Sequence, residues 1–297
     1  MTLELSQLTT SLKVTKFGYI KEVTRGAIPP SAAFVSLNTE AFTPTSTTNV
    51  VEQPLLGSPF IFKQPKTGER YRFALDFNLT DINFLEHCIN TSGTRNRDQS
   101  LAFSVGQYMN LSGTLVEHYY FAKGAICDSV TISGTNERIG VSSEWVPLDV
   151  TIPATAHGIT GTPTWASPSV AGFTGLSGGT NPVVWNSVAQ PTRSYSVTVN
   201  NAVDEVQLMG NATLDYSIPT THRNGVTLDI PYTNSTLQSD VKAGTPRTLK
   251  ISLGTGVFLT FTDCVLKEYD FPTSATDTSA LTVSYSGSAQ KVEVTAT

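Results

Sequence analysis

Tyr71-Arg72-Phe73-Ala74-Leu75-Asp76-Phe77-Asn78-Leu79 sets five apolar side chains on one parity and Arg72, Ala74, Asp76 and Asn78 on the other. A period of two is the mark of a β-strand with one buried face, because successive side chains leave a pleated strand on opposite sides. A short helix is predicted directly after it. Thr80 or Asp81 can cap it, Ile82, Leu85 and Ile89 follow at i, i+3 and i+7, and Phe84 and Cys88 widen the apolar stripe. Thr91-Ser92-Gly93 ends the helix.

The same syntax returns later in the chain. Val226, Leu228, Ile230 and Tyr232 alternate, and Pro231 marks this as an edge strand. Asn234 or Ser235 then caps a helix through Leu237 and Val241, which Gly244 closes. Four segments match in one order: Val35–Asn38 with Val197–Asn200, Phe73–Phe77 with Val226–Ile230, Leu101–Gly106 with Leu249–Gly254, and Val141–Trp145 with Leu281–Tyr285. The separation between matched segments shrinks along the chain, as duplication followed by loop trimming would give. The expected fold is mainly β, with two tandem β-sandwich or barrel modules that carry one short α-helix each. An arm at 1–12 precedes the first module at 13–149, a connector spans 150–180, and the second module occupies 181–297.

The connector is unusual. From Val150 to Thr192 there is no Asp, Glu, Lys or Arg, yet Trp165, Phe173 and Trp185 lie within it. Two readings stay open: an excursion pinned by those aromatics, or a mobile link.

Of the 297 residues, 39% are hydrophobic and only 14% charged, which suits extended β surfaces rich in Ser, Thr and Asn. A formal net charge of −5 with no basic cluster argues against a nucleic-acid binder. Cys88, Cys127 and Cys264 have no CxxC spacing, so neither a disulfide framework nor a zinc site is expected. The N-terminal residues have no secretory pattern, and no run approaches a membrane span. Folding in a host cytoplasm is expected.

Catalytic equipment is not in view. His87, His118, His157 and His222 have no metal-ligand spacing, and His87 falls on the predicted helix as a surface or partly packed residue. Gly178-Gly179 and Gly254-Thr255-Gly256 are too short for a phosphate-binding loop, and the latter reads as a hairpin turn. Asp76, Glu117, Glu144, Asp215 and Asp229 occur singly on strands, without a pair to suggest a glycosidase. No enzyme activity, cofactor or metal is expected.

Tyr119-Tyr120-Phe121-Ala122-Lys123-Gly124-Ala125-Ile126-Cys127-Asp128-Ser129-Val130-Thr131-Ile132-Ser133 resembles the tail tube (major tail) proteins of long-tailed bacteriophages and related archaeal viruses. Phe17–Glu22 with Gly26 and Pro29 is similar to that family's N-terminal segment. Tyr195–Val203 is similar to the strand that opens the second half of its two-module members. The resemblance implies a virion structural protein that stacks in rings around a DNA channel, six modules to a ring, hence a homotrimer of pseudo-sixfold symmetry. It implies partners of its own kind, together with the tape measure, tail terminator and baseplate or tip proteins. DNA would pass without specific binding.

On that reading Val50–Gly68, with Leu55, Leu56, Phe60, Ile61 and Phe62, is the candidate for ring-to-ring contact, or else a hairpin folded on its own module. Asp76, Asn78 and Asp229 are the candidates for the channel wall, where Arg72 does not fit. The rival expectations are a β-sandwich glycan hydrolase, favoured by a carboxylate pair in a cleft, and a decoration or receptor/carbohydrate-binding protein. The latter would show Trp165 or Trp185 as an exposed platform.

Overall fold

The computed structural model describes residues 13–29, 33–37, 39–50, 53–54, 61–63, 66–79, 82–91, 99–111, 114–135, 138–151, 164–166, 182–206, 216–220, 222–232, 236–254, 256–270 and 282–296. The chain is mainly β. Its first half supplies β1 (Lys13–Lys21), β2 (Ala33–Ser36), β3 (Thr39–Val50), the short pair β4 (Gln53–Pro54) and β5 (Ile61–Lys63), and β6 (Lys66–Asn78). Then come α1 (Ile82–Glu86), β7 (Asn90–Thr91), β8 (Leu101–Leu111), β9 (Thr114–Gly134), β10 (Ile139–Val146) and β11 (Asp149–Thr151). β12 (Thr164–Ala166) stands in the connector. The second half runs β13 (Val183–Trp185), β14 (Val188–Gln190), β15 (Ser194–Asn200), β16 (Val203–Val206), β17 (Tyr216–Pro219) and β18 (Arg223–Pro231). It ends with α2 (Thr236–Ala243), β19 (Arg247–Gly254), β20 (Val257–Asp270) and β21 (Thr282–Ala296).

The strand pairings run in the same order through both halves. In the first, neighbours are β3, β6, β10, β9, β8, β1 and β2. In the second they are β15, β18, β21, β20, β19, β13 and β14. α1 follows β6 as α2 follows β18, and a small hairpin interrupts each half between its third strand and the next. Even the irregularities coincide. β9 skips Asp128 opposite Glu144 and Trp145, and β20 skips Lys267 opposite Ser286 and Gly287. A second register shift lies between Leu101 and Phe103 in one half and between Arg247 and Leu249 in the other. β-Bulges are placed features rather than noise, because each re-aims every side chain beyond it.

The pairings correct three sequence readings. Val35 lies in β2 beside β1, whereas Val197 lies in β15 beside β18, so those segments do not correspond. The partner of Val197 is Pro44 of β3, by way of Phe73 and Val226. The bulges place Phe103 rather than Leu101 opposite Leu249, and Val283 rather than Leu281 opposite Val141. Both slips are of two residues, which keeps parity and so leaves the alternation looking right. Finally, β18 is no edge strand: it pairs with β15 and β21, and Pro231 is merely its last residue.

β9 changes sheets part-way along. Its first stretch pairs with β8 and β11, its last with β10 and β15. Gly124 sits at the change with φ of 64°. A Cβ there would lie 2.6 Å from Leu148 Cβ, so only glycine fits both the dihedral and the space. The Gly124 N–H donates to Glu22 Oε1 (2.8 Å), and the same buried carboxylate accepts from Ser100 Oγ (2.6 Å) and Gly26 N–H (2.7 Å). Three donors make burial of that charge tolerable.

One apolar cluster runs through both halves. In the first, Phe73, Phe103 and Trp145 meet, with the Phe103 and Trp145 rings 4.9 Å apart edge to face, and α1 adds Phe84 and Leu85. In the second, Trp185 is buried and its Nε1–H donates to Asp240 Oδ2 of α2 (2.8 Å). β12 pairs in parallel with β2 over Thr164–Ala166, with Trp165 opposite Phe34 in the register. Phe173 and the arm at 1–12 lie outside the described residues.

Candidate assembly interface

The contact between the two halves is a β ladder. β9 meets β15 antiparallel, from Ser129 opposite Asn200 to Gly134 opposite Tyr195. The ladder follows from parity: Val130, Ile132, Tyr195, Val197 and Val199 point into the core, and Thr131, Ser133, Ser196 and Thr198 point out. Thr131 and Thr198 hydroxyls lie 3.4 Å apart on the outer side. Eight strands thereby form one sheet in the order β3-β6-β10-β9-β15-β18-β21-β20.

Beyond the ladder, the chain locks the joint with polar contacts. Asn201, fully buried, donates its side-chain N–H groups to the carbonyls of Cys88 (3.1 Å) and Cys127 (3.0 Å). Its backbone N–H donates to the Asp128 carbonyl (2.7 Å). The bulge residue Asp128 accepts from Val203 N–H (2.8 Å) and from Arg72 Nη1 (2.8 Å). Arg72 also donates to Glu205 of β16, through Nε at 3.0 Å and Nη2 at 2.5 Å, and Arg70 approaches the same carboxylate at 3.8 Å. Burial lowers the Arg72 pKa, but hydrogen bonds and charges from Glu205 and Asp128 outweigh it and hold it above its ordinary value. Arg25 spans the joint as well, donating to Gly124 O (3.2 Å) and to both the carbonyl and the hydroxyl of Ser217 in β17.

The two ends of the eight-strand sheet are unpaired among the described residues. Among the described residues β3 pairs with β6 alone, and the last part of β20, Val265–Asp270, pairs with β21 alone. By the matched pairings these are the counterparts of the strands that meet inside the chain: β3 corresponds to β15, and the end of β20 to the end of β9. Unpaired backbone donors and acceptors along a strand are a template for another strand.

Asp76, Asn78 and Asp229 all lie on the outer, polar face of this sheet, half-buried between neighbouring strands. Asn78 Nδ2 donates to Glu40 Oε1 (2.7 Å), which Arg138 also meets at 3.0 Å. Ser194 Oγ donates to Asp229 Oδ2. Arg72, the misfit of that parity, is neutralised by Asp128 and Glu205. Leu55, Leu56 and Phe60 lie outside the described residues, and Ile61 and Phe62 are described only as backbone of β5, paired with β4. The sequence reading missed Asn201, Asp128 and Glu205. No spacing could reveal them, since what joins them is a bulge and a ladder between distant strands.

Among the described residues no three His, Cys, Asp or Glu side chains group as metal ligands. No described helix is long and apolar enough to cross a membrane. Cys88, Cys127 and Cys264 are free and buried, and burial pushes the Cys264 thiol up to about 12. No family model and no curated protein matches the chain.

Proposed function

We propose that the protein is a structural virion component: a duplicated, two-module tail tube subunit that closes into rings and stacks into a hollow conduit for DNA. One observation carries this reading. The contact between the halves has its two counterparts, the edges of β3 and β20, unpaired among the described residues at opposite ends of the sheet. A head-to-tail contact of this kind repeats from copy to copy and closes if the rotation closes. Two modules per chain and six per ring make a trimer of pseudo-sixfold symmetry, and closure pairs both ends of the eight-strand sheet.

The polar face suits a channel wall. Across β15, β9, β10 and β6 it presents Ser196, Thr198, Thr131, Ser133, Ser142, Glu144, Asp76 and Asn78, with Asp229 on β18. Hydroxyls and carboxylates do not bind phosphate as clustered cations do, so transiting DNA is not held. Ring stacking falls to the segment around Leu55–Phe62, and tape measure, terminator and baseplate or tip proteins meet the ends of the tube. The rival binding reading loses one support, because Trp185 is 2% exposed and occupied by Asp240.

Electron microscopy of the purified protein at high concentration tests the reading. Hollow tubes with a regular axial repeat support it, and single compact chains at every concentration overturn it. Cross-linking tests the edge pairing. Ser129 opposite Asn200 maps to Glu268 opposite Thr47 of the next copy, where facing Cβ atoms lie about 4.5–5.5 Å apart. Glu268→Cys with Thr47→Cys gives covalent trimers under mild oxidation, and either change alone does not.

A further inference from the structure

The joint inside the chain and the two sheet edges that correspond to it differ in charge. On β9 and β15 the outward residues that meet are Ser129 opposite Asn200 and Thr131 opposite Thr198, all uncharged. The matched pairings set Glu268 where Ser129 stands and Asp270 where Thr131 stands, with Thr47 in the place of Asn200 and Thr45 in that of Thr198. Glu268 and Asp270 are exposed, and neither forms an ion pair with another described residue. Tyr269 between them packs partly buried against the core, and the alternation of a strand then puts both acids on the outer face.

The opposing edge is backed by cations. Thr47 pairs with Arg70 and Thr45 with Arg72 on β6, the next strand in, with all four on the outer face. Arg72 is held by Asp128 and Glu205, whereas among the described residues Arg70 meets Glu205 alone, at 3.8 Å, and keeps 45% of its side chain exposed. When β20 of one copy pairs with β3 of the next, Glu268 and Arg70 flank Thr47, two strand spacings or about 9.5 Å apart at the backbone. Arg72 spans the same gap inside the chain, reaching from β6 past β10 to Asp128 on β9 at 2.8 Å.

We propose that Glu268, with Asp270 beside it, forms a charge pair with Arg70 of a second copy of this chain, and that this pair selects the β3 edge as the partner of β20. The proposal rests on the ring reading above and goes beyond it. Backbone pairing alone does not choose between edges, and two β20 edges could meet in a twofold dimer that ends growth. That contact sets the acids of one copy against those of the other, whereas head-to-tail contact turns them toward arginine.

The test uses the full-length protein and the concentration at which it assembles, read by sedimentation velocity. Glu268→Arg raises that concentration by about tenfold or more, because the reversal sets cation toward cation. Glu268→Gln and Arg70→Gln each raise it by about threefold or more, and the two together raise it no further than the larger single effect, since either change alone already removes the pair. Glu268 is exposed, so melting of the unassembled chain stays unchanged in its variants, and any effect of Arg70→Gln on the chain's own fold cancels in the cycle. The charge pair is overturned, with the ring reading left standing, if Glu268→Arg assembles like the parent or if the two neutral changes multiply in full. A parent chain that stays single at every concentration overturns both.

Discussion

At the scale of the residue, Trp185 and Asp240 show how a small change of chemistry does the same work twice. The matched pairings set Trp185 where Tyr19 stands in the first half. Tyr19 holds α1 through the edge of Phe84, ring centroids 5.1 Å apart, while Trp185 holds α2 through a hydrogen bond to Asp240. Burial pushes the Asp240 carboxyl upward, but hydrogen bonds from Arg247 (3.1 Å) and Trp185, with the charge of Arg247, hold it below its ordinary value. A carboxylate whose folded pKa is depressed stabilises the fold fully above its unfolded value, about 3.9, and loses that contribution as pH falls through the folded value. Asp240→Asn is therefore expected to cost about 1–3 kcal/mol near neutral pH. Thermal melts should show the gap from the parent narrowing below about pH 3–4. A gap that stays constant with pH would mean that the carboxylate's charge contributes nothing.

At the scale of the element, Gly134 decides how closely β9 and β15 can meet. A Cβ on Gly134 would lie 2.2 Å from Cε1 of Tyr195, its ladder partner. Gly134→Ala should thus lower stability by about 1–3 kcal/mol through overpacking. Adding Tyr195→Val should return part of that loss, measured by denaturant melts of the single and double variants. An alanine variant as stable as the parent would mean that the ring moves aside freely.

The strands themselves were legible because parity is written in the sequence. Phe73, Leu75 and Phe77 alternate, and so do Val226, Leu228 and Ile230, and all six are buried. The helices were legible from their apolar stripes, and Gly244 closes α2 with φ of 59°. The first is shorter than expected: α1 stops at Glu86, short of Ile89, and Thr91, expected to end it, pairs in β7 with β21. The cap candidates Thr80, Asp81, Asn234 and Ser235 lie outside the described residues. Register was not legible. A slip of two residues preserves every in-or-out assignment, so the Leu101 and Leu281 matches looked sound. Nor was the edge status of β18 legible, since a proline at a strand's last residue reads like one inside it. The candidate site was the least visible part: Asp76, Asn78 and Asp229 fell on the polar face as parity predicts, but Asn201 and Asp128 matter through contacts that no local pattern encodes.

At the scale of the whole molecule, the two sheet ends and the central ladder should differ in exchange. Amides of Ser129–Gly134 lie in a ladder paired on both sides and should be protected to the level of the core. Those of Leu266–Asp270 are paired on one side only among the described residues, and those facing outward should exchange fast in isolated chains. On the proposed assembly they should become protected, together with the outer edge of β3. Hydrogen exchange with mass readout at low and high protein concentration checks this. Equal exchange at Leu266–Asp270 under both conditions would count against edge pairing between copies.

The ladder between β9 and β15 has one more consequence. Its two strands are tied by a single polypeptide, so they meet at an effective concentration that no dilution changes. In the proposed ring, every second one of the successive contacts is already made once each chain has folded. Only the remaining ones answer to supply of the protein, and they can be weakened or strengthened by substitution without touching the half of the architecture that keeps each molecule folded.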